Sequence, residues 1–298
     1  MKNLRYCIIP IFLLISESVI YSQQNDYHKS FTENFRKPVS RNFEPHTWGR
    51  SADFIWAFGV HSATERRTKV LSFRIDPEDA PGAGLGPEIV SRKFTYYGTY
   101  SARIKIPDVR AVQPDVGAVV GYFTYNTDTV AGLSEIDFEW LLADPSIIYI
   151  GTWTGWRGDL RRIGRTINVA EGLIYSTSYS EKKSGLRVPL TGLQCMPETI
   201  PAIKGYDASS GFFTYGFDWH PDRIRWWMIR PGKADTLILW DYRGSLTGIP
   251  HNRTRYRLNF WYTDNWWVET NPKSVQRPLH PYELETDRMT YKPLKRKY

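Results

Sequence analysis

The sequence predicts an all-β domain, most simply two packed antiparallel sheets. Short runs rich in Val, Ile, Thr, Tyr, Phe and Trp, bounded by Gly, Pro, Asp or Asn, dominate from Trp48 onward. No segment keeps a helical apolar period for more than about two turns. No repeat and no Pro/Gly/Ser-rich linker divides the chain. One β domain follows.

The runs can be taken in order. Residues 70–75 end at Asp76-Pro77, and 99–106 lie between Gly98 and Pro107. Residues 117–125 end at Asn126, 134–141 follow Gly132, and 147–153 follow Pro145. Residues 212–219 follow Gly211, and the turn at His220-Pro221 leads into 223–229, which stop before Pro231-Gly232. Residues 236–242 end before Gly244, and 255–262 end before Asp264. In 99–106, Tyr100, Ala102, Ile104 and Ile106 face one way while Ser101, Arg103 and Lys105 face the other. The lead-in, 23–47, is polar with scattered aromatics, and 156–210 is expected to form long loops that carry specificity.

Composition narrows the class. The 298 residues are 41% hydrophobic and 23% charged, with two cysteines. A disulfide scaffold and a disordered chain are excluded. No apolar run reaches the roughly 18 residues of a membrane-spanning helix. Two features stand out: aromatics at 15%, with 12 Trp and 19 Tyr, and a net charge of +8.

The start carries Lys2 and Arg5, then about ten apolar residues, then Ser16, which matches a secretory leader cut after Ser22. The expectation is a secreted, periplasmic or extracellular protein with one cysteine, Cys195, after cleavage. The leader holds Lys2, Arg5 and Glu17, and residues 288–298 hold Arg288, Lys292, Lys295, Arg296 and Lys297 without an acid. The remainder has 32 basic and 30 acidic residues, a charge of +2. The basicity is therefore assigned to a solvated C-terminal tail, and no nucleic-acid partner is expected.

The informative segment is 134–141, SEIDFEWL. On a strand Glu135, Asp137 and Glu139 share one face, and Ile136, Phe138 and Trp140 fill the other. Like charges so close repel, so a strand without a task would mix signs. The pattern fits an acidic outer face or a cation site, but distance favours chemistry. Cα atoms four residues apart on a strand are roughly 13 Å apart. Glu side chains leaning together leave on the order of 5 Å, the separation of a retaining glycosidase.

That strand resembles the catalytic motif of the family-16 glycoside hydrolases. Residues 94–107 (FTYYGTYSARIKIP), 117–125, 212–219 (FFTYGFDW), 221–227 (PDRIRWW) and 258–261 (LNFW) with Trp266 are similar to other strands of that family. The resemblance covers roughly 48–267 and implies a β-jelly-roll sandwich of two curved antiparallel sheets, placed here at 48–287. Carried over, Glu135 is the nucleophile, Asp137 its assisting carboxylate and Glu139 the acid/base. The four-residue spacing points toward β-1,3-1,4-glucan or a related β-glucan. Leu133, Phe213 and Ser101 depart from the family pattern and leave the substrate open.

Sugar rings have apolar faces, so carbohydrate clefts use aromatic platforms. Trp261 and Trp266 are assigned as platforms, with Trp153 and Trp156 as further candidates, and Trp56, Trp219, Trp226 and Trp240 as core. The six histidines show no metal-ligand spacing. No cofactor is expected, and a structural calcium has no readable signature. The expected protein is a monomeric, non-membrane-inserted retaining endo-glycosidase acting on β-linked polysaccharide. A transglycosylase, a galactan-directed hydrolase and a non-catalytic carbohydrate-binding protein are the alternatives.

Overall fold

A computed structural model describes residues 26–48, 55–77, 86–270 and 275–295. The expected leader, 1–22, lies outside them. Chain order gives β1 (Phe31–Glu33), β2 (Phe43–Trp48), β3 (Ile55–His61), β4 (Lys69–Ile75) and β5 (Gly86–Ser91). Next come β6 (Gly98–Lys105), β7 (Ala118–Asp128), β8 (Gly132–Leu141) and β9 (Ile147–Trp156). β10 (Asp159–Asn168), β11 (Leu173–Glu181), β12 (Arg187–Pro189) and β13 (Phe213–His220) follow. β14 (Arg223–Ile229), β15 (Thr236–Arg243), β16 (Arg255–Tyr262) and β17 (Tyr282–Pro293) complete the set.

They form two antiparallel sheets. One is ordered β15-β14-β13-β6-β17-β4-β3, with β1 also on β17; the other is β12-β11-β10-β9-β8-β7-β16-β5-β2. This is the jelly-roll sandwich, and each of the nine expected runs is a strand in it.

Alternation builds the core. On β8, Ile136, Phe138 and Trp140 are wholly buried between the sheets. Trp140 meets Tyr215 of the facing sheet at 4.7 Å, and Tyr122 meets Phe217 at 5.8 Å. Several buried phenols and indoles find partners: the Tyr122 and Tyr256 hydroxyls lie 3.0 Å apart, and Trp219 Nε1 donates to the Pro250 carbonyl at 3.0 Å, whereas Trp140 Nε1 has none among the described residues. Much of the aromatic excess is therefore core. Trp219, Trp226 and Trp240 are buried there as expected, while the Trp56 side chain lies outside the described part.

Trp226 matters most for the site. It stacks on Trp240 at 4.8 Å, and its Nε1 donates to the Asp137 carbonyl at 3.1 Å, tying β8 to the opposite sheet. Trp226→Ala is expected to cost about 3–5 kcal/mol, and Trp226→Phe, which loses the hydrogen bond and part of the buried ring, about 2 kcal/mol. Urea denaturation measures both.

Three expectations need correction. The lead-in is part of the domain: β1 pairs with β17 and β2 with β5, and Phe35 and Phe43 lie in the core. Its aromatics do not alternate because the chain turns at Phe35 (φ 48°), so no strand period was visible. The basic tail is largely strand. Arg288 and Lys292 lie on β17, whose Met289 and Tyr291 are buried, and Asp287 at a register shift takes an ion pair from Arg103 at 2.6 Å. The 156–210 stretch divides: its first part is strand, with β10 and β11 paired along almost their full length and β12 beside them, while 190–210 runs as the expected loop. β11 is half-buried throughout and carries Ser, Thr and Tyr, so its sequence lacks the apolar alternation of a core strand.

Candidate active site

β8 occupies the middle of the nine-stranded sheet, between β7 and β9. Its inward residues anchor it, which leaves Glu135, Asp137 and Glu139 side by side on the opposite face. Glu135 is paired across with Tyr125 and Trp153, Asp137 with Phe123 and Gly151, and Glu139 with Gly121 and Tyr149. The two glycines keep the flanks low. A Cβ at Gly121 would stand 2.4 Å from Asn259 Oδ1, and one at Gly151 would stand 2.4 Å from the Ile163 carbonyl.

A cavity of about 240 Å³ opens above the carboxylates, and its lining includes Tyr125, Phe123, Trp261, Arg257, Asn259, His46 and Glu88. Arg257 is paired with Glu88, which also meets His46 Nδ1 at 3.2 Å. The Arg257 guanidinium lies 5.2 Å from the Tyr125 ring. Sequence reading missed Arg257 and Asn259, although the signal was there: they precede Trp261 by four and two residues on one strand and so share its face. His46 and Glu88 had no comparable signal, because the strands that present them were not recognised.

The four tryptophans separate. Trp261 lines the cavity, and Trp153 lies directly across from Glu135. Trp266 packs edge-on against Tyr149 at 4.9 Å, over an apolar cluster of Val119, Leu141, Ile147 and Val268 beyond Glu139. Trp156 ends β9, is 45% exposed and is not part of the cavity lining. Of the departures from the family pattern, Ser101 and Phe213 lie on the other sheet, and only Leu133 is on β8.

Burial sets the chemistry of the trio. Asp137, 7% exposed, is pushed well above the usual carboxylate range, first by desolvation and then by the charges of Glu135 and Glu139. The Asp137 carboxylic acid donates to the Glu135 carboxylate, an interaction that favours the ionised form of Glu135. Desolvation and the Glu139 charge push Glu135 up, against Arg257 and Arg162. Burial raises Glu139 to about 7, opposed by Arg162. Glu135 rises to about 8 and Glu139 to about 7, so all three carboxyls are drawn toward the protonated form near neutrality, and the Asp137 hydrogen bond and the Arg257 charge are what favour ionisation at Glu135. Among the described residues no group of three or more His, Cys, Asp or Glu side chains is arranged to hold a metal ion.

No family model matches the chain, and no curated protein matches it in sequence. Solved structures do. A β-glucanase of Bacillus licheniformis superposes with a TM-score of 0.54 at 18% identity, over 90% of this chain and 99% of its own. A prokaryotic β-1,3-1,4-glucanase (lichenase) derived from a mouse hindgut metagenome gives 0.54 at 20% identity, over 90% and 100%. The fold is that of the lichenases. The same lichenase fold brings in an endo-β-galactosidase of Clostridium perfringens that releases GlcNAcα1-4Gal, at a TM-score of 0.53 and 14% identity, over 89% and 62%. The architecture implied by the β8 motif and its companion strands is therefore present.

Proposed function

We propose that the protein is a retaining endo-glycosidase that cleaves β-linked polysaccharide by double displacement. One observation supports this above the others: two half-buried carboxyls four residues apart on one strand, with a buried third between them that burial holds in its protonated form, beneath an aromatic-lined cavity. Glu135 attacks the anomeric carbon while Glu139 protonates the departing glycosidic oxygen, giving a glycosyl-enzyme ester. Glu139, now a carboxylate, takes a proton from water, whose oxygen displaces Glu135. Asp137 holds its proton toward Glu135 throughout and steadies that group as it gains and loses charge.

The four-residue spacing favours a β-1,3-1,4-glucan or a related β-glucan backbone, with β-1,3-glucan the next candidate. The leader at 1–22 favours action outside the cytoplasm. Water and a sugar hydroxyl fit the second step equally well in chemical terms, so transglycosylation belongs to the same reading. The test incubates the protein with mixed-linkage glucan, laminarin, xyloglucan, agarose and carrageenan, and follows reducing ends and the anomeric configuration of the first product by NMR. Cleavage with retention is expected. Inversion would defeat the double displacement, and binding without cleavage of any polymer would leave a carbohydrate-binding protein.

A further inference from the structure

We propose that Tyr149 and Glu269 are positioning residues: their hydrogen bond sets Trp266 as a wall of the substrate cleft beside Glu139. The proposal rests on the glycosidase reading and adds to it the means by which this chain shapes that cleft.

The cleft face of the nine-stranded sheet changes character just past Glu139. Gly121, Glu139 and Tyr149 form one cross-strand row, and Trp261, Val119 and Leu141 form the next. Ile147 stands two residues before Tyr149 on β9 and so shares its face. Val119, Leu141 and Ile147 are wholly buried although they point away from the sandwich core. An apolar patch on that face needs a cover, and Val268 and Trp266 provide it. Val268 is buried, whereas Trp266 is only half-buried and stays partly open to solvent. Trp261 packs on the same patch and lines the cavity above the carboxylates, so Trp266 stands at the margin of that cavity.

Both ends of the covering segment, 263–270, are tied down. Thr263, 2% exposed, donates its backbone N–H to the Gly117 carbonyl at 2.5 Å, just before β7. At the other end Glu269 accepts from the Tyr149 hydroxyl at 2.6 Å, and the Thr270 hydroxyl donates to Asp144. Asp144 is itself held in the β8–β9 turn, where it accepts from the Ser146 N–H at 3.0 Å. Two consecutive residues are thus bolted to the hairpin that carries Glu139. The Trp266 ring meets the Tyr149 ring edge-on at 4.9 Å, and Tyr149 is the β9 partner of Glu139. One side chain therefore separates Trp266 from the acid/base.

The chemistry of the pair suits a fixed tie. Tyr149 is 4% exposed, and a buried phenol needs an acceptor for its hydroxyl. Burial, and then the bond to Glu269, push that phenol far above its ordinary value, so it remains a donor at every pH at which Glu139 works as an acid. Glu269 is exposed, so its replacement removes the bond without opening the apolar patch. An aromatic wall gains most from such a tie, because a ring that must be ordered as the sugar arrives loses affinity to that ordering.

The test measures kcat and KM on mixed-linkage glucan, or on whichever of the other four polymers the full-length protein cuts fastest. Tyr149→Phe keeps the ring and loses the hydroxyl; Glu269→Ala loses the acceptor, and Glu269→Gln keeps one. Tyr149→Phe and Glu269→Ala are each expected to raise KM about three- to tenfold, as loss of one stacking contact would, with kcat within about twofold of the unsubstituted protein. Glu269→Gln should keep part of the affinity. Made on top of Trp266→Ala, which itself raises KM at least as far, Tyr149→Phe should add little, because both changes remove the same contact. Unchanged KM in both single variants, a loss confined to kcat, or an undiminished effect in the absence of Trp266 overturns the proposal. Glu269→Ala, at its exposed position, decides the matter should Tyr149→Phe fold poorly. Failure of the glycosidase reading looks different: the unsubstituted protein then cuts none of the polymers, and this proposal falls with it.

Discussion

Glu135→Gln is expected to lower kcat/KM by a factor on the order of 10⁴ or more, with little change in fold. The amide keeps the size of the side chain and its place beside Asp137, but it has no charge with which to attack the anomeric carbon. Smaller replacements distinguish the roles of the two glutamates. Glu135→Ala leaves a gap beneath the anomeric carbon that azide can enter, and attack there gives a glycosyl azide of inverted configuration. Glu139→Ala leaves the nucleophile in place, so a substrate with a good leaving group still forms the ester. Azide then attacks the ester and gives the retained configuration. NMR of the two products checks the assignment, and exchanged configurations would exchange the roles. Undiminished turnover by Glu135→Gln would remove the nucleophile altogether.

The parts of the site legible in the sequence were those where two periods coincide. β8 shows charge on one parity and large apolar groups on the other, and the structure buries Ile136, Phe138 and Trp140 while leaving the carboxyls on the far side. β16 carries the same message more weakly, since only Trp261 was read and not Arg257 or Asn259. What stayed hidden lies where burial is shared or partial. β10 and β11 extend the sheet with Arg, Ser and Thr; Arg165 there is only 2% exposed, yet it is satisfied by the Pro197 and Leu239 carbonyls and by Thr177. Burial lowers its guanidinium to about 10. A run of arginines reads as solvated loop unless its partners, some of them far away in sequence, are known. β17 was hidden by its mixed outward charges, Glu283, Asp287, Arg288 and Lys292, and by the register shift beside Asp287, and β1 by its brevity.

At pH 9 Glu139→Gln and Asp137→Asn are expected to melt a few degrees above the unsubstituted protein, and at pH 5 at nearly the same temperature. Unfolded carboxyls titrate at about 4. In the fold, burial raises all three, Glu139 to about 7. A carboxyl whose folded value is raised is bound more tightly to its proton in the native state, so unfolding releases protons between the two values. The stabilising contribution is complete below the unfolded value and is lost as pH rises through the folded one. Above about pH 8 the native sheet must hold adjacent, partly desolvated charges that Arg162 and Arg257 only partly offset. Removing one ionisable group then gains about 2 kcal/mol, a few degrees for a domain of this size. Activity follows the same titration in the native protein: the first step needs Glu139 protonated, so turnover should fall as pH passes about 7. Calorimetric melting and a pH–rate profile should therefore show inflections in one window. Variants that melt like the native protein at pH 9 would mean that these carboxyls are not held protonated by burial, and the acid role of Glu139 would lose its physical basis.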